Sequence, residues 1–279
     1  MIYPRHTLAA NAARALAGQK PHVAPVRWSF VQDTTPPLAG MLRGGRGGGV
    51  RLKLFLSILW LAHPEPHQVQ LSGHSWAILL GLADPSHGGA RRVNDALHWL
   101  ASHDLIWLST KRGRPTQVRL LREDASGQPY FHPADRLREL RSVRPRSLAA
   151  ASRRLHYYVT VPYGLWTRGW LATLSGAGIA MLLVLLVELG GRMAPDTMVW
   201  LSPLQAKRQY GLSADIRRAG IRDLSRYGIV RVSRSFMDPD HPDIHRVRQY
   251  YRLRPNVFSE AVEIPFLAPA EPESKHQHA

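Results

Sequence analysis

The chain has 279 residues, of which 44% are hydrophobic, so it is long enough for two ordinary domains with apolar cores, and a mainly disordered chain is excluded. Its formal net charge is +17 and comes mostly from arginine, which favours an anionic partner such as nucleic acid, an acidic lipid surface or an acidic protein. The absence of cysteine excludes disulfides, thiolate metal sites and a cysteine nucleophile, and it suits the reducing cytoplasm in which we expect the protein.

The N-terminal segment does not have the pattern of a secretory signal. MIYPRHTLAANAARALAG contains no unbroken apolar stretch, so we predict an N-terminal extension over residues 1–25 that includes a short helix ending near Gly18.

The first repeat-like unit is predicted over residues 26–130. Its apolar and turn patterns predict, in order, a strand at Val26–Val31, a buried helix at Val50–His63, a short helix at Ser75–Leu80, a helix at Ala90–His103 and a hairpin over Leu105–Leu121. The glycine-rich segment Arg43–Gly49 could aim backbone amides at a phosphate, but it lacks the lysine and hydroxyl residue of a nucleotide-binding loop. A flexible connecting loop is the favoured interpretation.

A polar, basic segment is predicted to link the two units over residues 131–155. It contains a run of arginines that either track phosphates or form a solvated face. These are Arg136, Arg138, Arg141, Arg144, Arg146, Arg153 and Arg154. We predict a helix here that is interrupted near Pro145.

The second unit is predicted over residues 156–264, beginning with a strand at Tyr157–Val161. Within Trp170–Leu189, Ser175 is a helix N-cap and Gly190–Gly191 a stop, which leaves a helix of about 21 Å. That is shorter than the ~30 Å hydrocarbon layer of a membrane, so we predict a buried helix and no membrane partner. The tail over residues 265–279 is predicted to be disordered.

Residues 202–253 predict a helix, a turn, a second helix and a two-stranded wing. Pro203 follows Ser202 as a first helical residue, Gly211 ends this helix, and Ser213 caps the next one. Alternating apolar residues in 229–233 and 247–251 predict a hairpin around the polar tip Asp238–His245.

The two units share one sequence pattern. GARRVNDALHWLASHDLIWLS from Gly89 aligns without a gap to SADIRRAGIRDLSRYGIVRVS from Ser213, and the apolar positions coincide. Leu97 matches Ile221, and Leu100 matches Leu224. The expected fold is therefore mainly α with small antiparallel β wings, an α+β fold built as a tandem winged helix-turn-helix.

The candidate DNA-binding residues follow from this fold. Arg218, Arg222 and Arg226 recur at i, i+4 and i+8 and are predicted to read bases or line the major groove. Lys207, Arg208, Arg217, Arg231, Arg234 and Arg246 are predicted to hold phosphates. The first unit contributes the weaker set Arg91, Arg92, Asn94, His98, Lys111, Arg112 and Arg114. A merely solvated basic face is the alternative for any of them.

Enzymatic readings have less support in the sequence. The Asp/His-rich tip at Asp238–His245 could gather a metal, but its prolines indicate a polar turn. The histidine pair that a rolling-circle nuclease needs is approached only by His276–Gln277–His278, and Tyr250 and Tyr251 are better explained as strand residues. We therefore predict no enzymatic activity and no cofactor.

Two winged helices joined by a basic linker resemble the iteron-type replication initiators of bacterial plasmids, and the resemblance covers the architecture of residues 26–258. It implies that the C-terminal unit is the principal reader of double-stranded DNA and that the N-terminal unit forms a homodimer or a second contact. A transcriptional repressor is the nearest alternative, and a membrane-surface or protein-interaction adaptor is a more distant one. A metal-dependent nuclease would instead cleave DNA.

Overall fold

The computed structural model describes residues 4–18, 23–43, 45, 47–142, 154–191, 197–236 and 247–263. About half of these residues are helical, and the strands form small antiparallel sheets, so the fold is α+β. Among the described residues, none of the helices combines the length and apolarity needed to cross a lipid bilayer.

The first half of the chain runs from helix α1 to strand β4. The elements are α1 (Arg5–Ala17), β1 (Val23–Arg27), α2 (Trp28–Val31), α3 (Pro37–Leu42), α4 (Gly48–Ala62), β2 (Gln68–Gln70), α5 (Gly73–Leu79), α6 (Gly88–Ser102), β3 (Ile106–Ser109) and β4 (Gln117–Leu120). β2, β4 and β3 form a three-stranded sheet in that order.

The second half repeats this sequence of elements. After α7 (Pro133–Glu139) come β5 (Tyr158–Pro162), α8 (Gly164–Thr167), α9 (Trp170–Thr173), α10 (Gly176–Glu188), β6 (Met198–Trp200), α11 (Pro203–Tyr210), α12 (Ala214–Arg226), β7 (Val230–Phe236), β8 (Val247–Leu253) and a 3-10 helix (Pro255–Ser259). The sheet order β6-β8-β7 matches β2-β4-β3 in the first half.

Helix α10 is the apolar helix that the sequence predicts behind Ser175. The Ser175 hydroxyl accepts a hydrogen bond from Gly178 N at 3.0 Å, which caps the helix. The apolar residues from Ile179 to Val187 are all buried, so this segment is a core helix. Its 13 residues span about 20 Å.

Two predicted elements differ from the observed ones. The predicted strand at Val26–Val31 is instead β1 followed by the short helix α2. The register with the later strand at Tyr158–Pro162 stops at Arg27, and Trp28 begins a helical turn closed by a hydrogen bond from Gln32 N to the carbonyl oxygen of Trp28 at 2.6 Å. At the end of the strand, Arg27 forms an ion pair with Glu123 in which both side chains are fully buried. The predicted helix at Ser75–Leu80 begins earlier, because the Ser72 hydroxyl caps it by accepting from Ser75 N.

The N-terminal extension is anchored to the rest of the protein. Ala9, Ala10 and Ala13 of α1 are buried, and Arg14 Nη1 donates to the carbonyl oxygen of Thr167 at 2.8 Å. Residues 1–3, 19–22 and 143–153 lie outside the described part of the chain, as does the predicted tail. This includes Arg144, Arg146, Arg153 and the proposed break at Pro145.

The start of the predicted linker lies against the first half. Arg27 Nη2 donates to the carbonyl oxygen of Phe131, and the Arg27 guanidinium lies 4.7 Å from the Phe131 ring centroid. Burial raises the pKa of Glu123, while the guanidinium of Arg27 opposes that rise. Because the pair is fully buried, it holds β1 to the segment that follows the β3–β4 hairpin.

The contacts between the two halves are reciprocal. Strands β1 and β5 pair antiparallel, with Pro25 opposite Thr160 at the centre. Helices α4 and α10 meet near their first residues, since a Cβ on Gly176 would lie 2.6 Å from the Cα of Gly49. Each of these contacts joins equivalent parts of the two halves.

A second set of contacts exchanges roles between the halves. Gly81, which follows α5, faces Ala172 of α9, and Gly211, which follows α11, faces Ala39 of α3. Cβ atoms added at the two glycines would lie 2.6 Å and 2.9 Å from those alanine Cβ atoms. The end of α5 in the first half contacts α9 in the second, and the equivalent end of α11 contacts the equivalent helix α3. Because the two contacts are reciprocal, an approximate two-fold axis relates the halves.

Buried apolar side chains from both halves belong to one continuous cluster. At their junction, Lys53 Nζ of α4 donates to the carbonyl oxygen of Ala172 at 3.1 Å, and burial lowers the pKa of this lysine to about 8. The relative placement of α6 and α12 is therefore set by packed backbone and apolar side chains as well as by the intervening chain.

Candidate nucleic-acid interface

Helix α11 is held at both ends by local signals in the sequence. The Ser202 hydroxyl accepts from Gln205 N at 3.0 Å, Pro203 is a first-turn residue, and Gly211 adopts φ +59° after the last turn. The positive φ is the conformation that glycine adopts without steric cost.

Helix α11 is also tied to the buried helix α10. The hydroxyl of Tyr210 donates to the carboxylate of Glu188, and Gln205 Nε2 donates to the same oxygen at 2.8 Å. Burial, followed by this hydrogen bond, raises the pKa of Tyr210. These contacts fix α11 relative to the core on which α12 also lies.

Helix α12 has one packed face and one cationic face. The Ser213 hydroxyl caps it by accepting from Ile216 N, while Gly220, Ile221 and Leu224 are buried. Arg218, Arg222 and Arg226 are exposed. The i, i+4, i+8 spacing therefore places three guanidinium groups in solvent along one side of the helix.

The two carboxylates of α12 affect this face differently. Asp223 turns towards the start of α10, where its Oδ2 accepts from Ser175 N at 2.7 Å. Asp215 forms an exposed ion pair with Arg218 at i, i+3. Arg222 and Arg226 therefore have no carboxylate partner among the described ion pairs, and they leave the helix surface strongly positive.

A groove of about 650 Å³ runs beside α12 and opens against the three-stranded sheet. Arg217, Arg218 and Arg222 line one wall, and Arg234 with Gln249 lines the other. Trp200, Leu201, Pro203, Ile221 and Tyr251 complete the lining. A concave surface with arginines on both walls can neutralise a phosphodiester backbone while side chains of the helix reach outward.

Among the described residues predicted to hold phosphates, only Arg217 and Arg234 line this groove. Lys207 and Arg208 are exposed on α11, away from the groove lining. Arg231 pairs with Arg252 in β7–β8 and points to the opposite side of the sheet from Arg234, because successive strand residues alternate in direction. Arg246 and the tip Asp238–His245 lie outside the described residues. Arg231 is thus separated from the groove that holds Arg234.

The first half presents a weaker version of the same surface. Arg91, Arg92, Asn94 and His98 are exposed on α6, and Lys111, Arg112 and Arg114 are exposed in the β3–β4 turn. The helix positions equivalent to Arg218, Arg222 and Arg226 are neutral or weakly basic. Near the start of α4, Arg51 lies over the Trp99 ring at 4.6 Å from its centroid, so this arginine is partly engaged.

The backbones of the two halves have equivalent features at the positions that the ungapped alignment matches. Helices α6 and α12 end at the equivalent residues Ser102 and Arg226, and the next strands begin at Ile106 and Val230. The equivalent hydrogen bonds are also present, from Leu105 N to Leu100 O at 3.1 Å and from Ile229 N to Leu224 O at 2.9 Å. The two halves therefore share local structure as well as sequence pattern.

Several residues of the groove were not singled out by sequence reasoning. Gln249 and Trp200 lie on strands, and their proximity to α12 depends on how the sheet packs against the helix. Burial raises the pKa of Tyr251, which keeps this groove residue neutral. Gln249 lies in the alternating segment 247–251 that predicts a strand, but the sequence analysis predicts no strand at Trp200, and nothing in the sequence indicated that these residues would meet α12.

The described residues contain no group of three or more His, Asp or Glu side chains arranged to hold a metal ion. Comparisons of the chain with models of known protein families, with curated proteins and with solved structures found no match.

Proposed function

We propose that this protein is a sequence-specific double-stranded DNA-binding protein in which each half is a winged helix-turn-helix. The observation that carries the proposal is the exposed arginine row of α12 beside a groove with arginines on both walls. A helix preceded by a short helix and a tight turn is the element that enters a major groove, with its outward side chains at base edges. Arginine suits this role because its planar fork forms paired hydrogen bonds with guanine.

The approximate two-fold relationship of the halves supports a bipartite DNA site. A DNA duplex has local two-fold axes. When the two-fold axis of a protein with two equivalent helices coincides with one of them, the two helices contact half-sites that are inverted repeats of each other. Because α6 carries fewer cations than α12, the half-site read by α12 contributes more affinity and more discrimination. The expected target is an imperfect inverted repeat with one dominant half.

Within this class we propose a replication initiator of a plasmid or another mobile element, with a transcriptional repressor as the second candidate. What supports this proposal is that two similar halves with unequal basic surfaces share one apolar core, which matches the unequal roles of the two units in such initiators. The location of the sites decides between the two functions. Repeated sites beside a replication origin support the initiator, whereas an isolated site over a promoter supports the repressor.

The decisive experiment selects bound duplexes from a random pool with the full chain and then measures affinity for the selected and for random duplexes. Arg222→Ala should weaken binding to the selected duplex by about 1–3 kcal/mol, the value of one good bidentate base contact. Binding to random duplexes should weaken less, because phosphate contacts dominate there.

Arg5→Ala is the matched control, since Arg5 is an exposed arginine on α1 and its removal changes the net charge equally. This variant should bind both duplexes almost as the wild type does. Equal losses by Arg222→Ala on selected and random duplexes would reject base reading by Arg222. A wild-type protein that retards no duplex at low salt would reject the proposed function itself.

A further inference from the structure

The outer face of the β6–β8–β7 sheet forms a second basic surface. It shares the edge residue Trp200 with the groove beside α12, whose other strand residues, Arg234, Gln249 and Tyr251, point to the opposite side of the sheet. Val199, Tyr251 and Val232 are paired neighbours that point towards the core. The residues between them therefore point outward. One outward row is Met198, Arg252 and Arg231, and the next is Trp200, Tyr250 and Ser233.

Arginine and aromatic residues alternate along the central strand of this face. Arg248, Tyr250 and Arg252 share the outer side of β8, with Trp200 beside Tyr250 on the edge strand β6. Met198 is 51% exposed and Trp200 is 39% exposed, so large apolar surfaces face solvent here. The guanidinium of Arg248 lies 4.3 Å from the centroid of the Trp200 ring.

Positive charge is concentrated at one end of this surface. A pocket of about 440 Å³ is lined by Arg231, Arg252 and Arg254, and among its described lining residues Glu260 is the one carboxylate. Arg231 and Arg252 occupy directly paired positions in neighbouring strands. The three arginines therefore place guanidinium groups around one concavity, where they can contact an anionic backbone.

We propose that this face, defined by Trp200, Tyr250, Arg248, Arg252 and Arg231, binds single-stranded nucleic acid. Exposed aromatic rings stack on unpaired bases, and neighbouring arginines neutralise the backbone, which is how sheet surfaces hold single strands. In duplex DNA the base faces are already stacked on one another and cannot reach these rings. The mixture of aromatic and arginine side chains therefore favours a single strand over a duplex.

The equivalent sheet of the first half provides an internal comparison. Trp107 is 49% exposed there, and Arg119 lies over its ring at 5.2 Å from the centroid. Its other outward positions are Gln68, Gln70, Gln117 and Ser109, which carry no charge. This face has one aromatic–arginine pair, so the second half is the stronger single-strand surface.

The test measures fluorescence anisotropy of labelled 20-nucleotide oligothymidylate and oligouridylate with the full chain at low salt. Wild-type protein should bind at least one of them, and the preferred one identifies DNA or RNA as the ligand. Tyr250→Ala should weaken this binding about tenfold, since one stacking platform is lost. Trp107→Ala is the matched control and should change the affinity less than Tyr250→Ala does.

Duplex binding separates this proposal from the proposed function. Tyr250→Ala should retain the affinity of the wild type for its selected duplex, which also shows that the variant is folded. Arg222→Ala should show the converse, with weaker duplex binding and normal single-strand binding. If the protein binds no duplex at all, the single-strand measurements still decide the present proposal.

The proposal is overturned by any of the following results: no binding of either oligonucleotide by the wild type, unchanged affinity in Tyr250→Ala, or parallel losses of both ligands in Arg222→Ala. Displacement of the oligonucleotide by polyglutamate with equal potency from the wild type and Tyr250→Ala would also overturn it. That result would mean that charge alone, without stacking, governs the surface.

Discussion

Replacing Gly220 by alanine tests how helix α12 is seated, because two opposing effects of known size meet at this residue. Alanine is favoured over glycine inside a helix by about 1 kcal/mol. In this structure, however, a Cβ at Gly220 would lie 2.4 Å from the carbonyl oxygen of Ala177 and 2.5 Å from Cγ of Met181. Both distances are far below an ordinary van der Waals contact.

The two neighbours differ in their ability to move. The Met181 side chain is flexible and can change rotamer. The Ala177 carbonyl belongs to the backbone of α10, so α10 and α12 must separate by roughly 1 Å to restore a normal contact. Overpacking costs about 1–3 kcal/mol, and because the closest contact at Gly220 is with backbone, the cost here lies in the upper part of that range, at roughly 2–3 kcal/mol. The expected net effect of Gly220→Ala is a loss of stability of about 1–2 kcal/mol.

Gly40→Ala is the matched control, because Gly40 also lies in a helix and a Cβ there would have no atom within 4 Å. This variant should be as stable as the wild type or more stable by up to about 1 kcal/mol. Urea unfolding followed by far-UV circular dichroism measures both changes. Gly220→Ala should also weaken binding to the selected duplex, although it removes no charge, because it moves the face that carries Arg222.

A wild-type or higher unfolding midpoint for Gly220→Ala would refute the reasoning, since it would mean that α12 does not lie against α10 as described. A loss of stability in Gly40→Ala of the same size would refute it as well, because the effect would then come from glycine replacement in general. The packing argument requires a loss of stability in Gly220→Ala without a loss of stability in Gly40→Ala.

Two further predictions concern the buried polar groups around β1. Glu123→Gln should destabilise the fold by about 3–5 kcal/mol, because it leaves the Arg27 guanidinium buried without a counter-charge. Urea unfolding should show a smaller loss of unfolding free energy for the double variant Arg27→Met/Glu123→Leu, which removes both charges. An equal or larger loss in the double variant would contradict this prediction. Burial, followed by the charge of Arg27, lowers the pKa of His156 from 6.5 to about 4. A histidine whose pKa is lowered by folding stabilises the fold fully above pH 6.5 and loses that contribution as the pH falls towards 4. Melting temperatures of the wild type and His156→Gln should therefore converge as the pH falls through this range, and parallel curves would contradict the prediction.

Much of the local structure near the candidate interface could be predicted from sequence. Ser202, Pro203, Gly211 and Ser213 act within a few residues of their own positions, so their effect on helix ends is local. The 3.6-residue period likewise places Ile221 and Leu224 on one face and Arg222 on the other. The same local signals gave the correct register between the two halves.

The features that join distant parts of the chain could not be predicted in this way. The pairing of β1 with β5, the reciprocal contacts at Gly49 and Gly176, and the Arg27–Glu123 pair all link residues that are far apart in sequence. The strand predicted at Val26–Val31 was wrong beyond Arg27, because the strand pairs with β5, which lies far along the chain and whose register with β1 stops at Tyr158.

Local signals along the chain were enough to predict an α+β fold with a repeated pattern, a buried apolar helix after Ser175 and a cationic helix face after Ser213. Three features became visible in the folded protein: the approximate two-fold axis between the halves, the groove that Arg234 and Gln249 share with α12, and the position of Arg231 on the opposite face of the sheet. The reason is physical: caps and periodicity act between neighbours along the chain, whereas strand partners and interdigitating helices are chosen by packing among all the apolar surfaces of the protein.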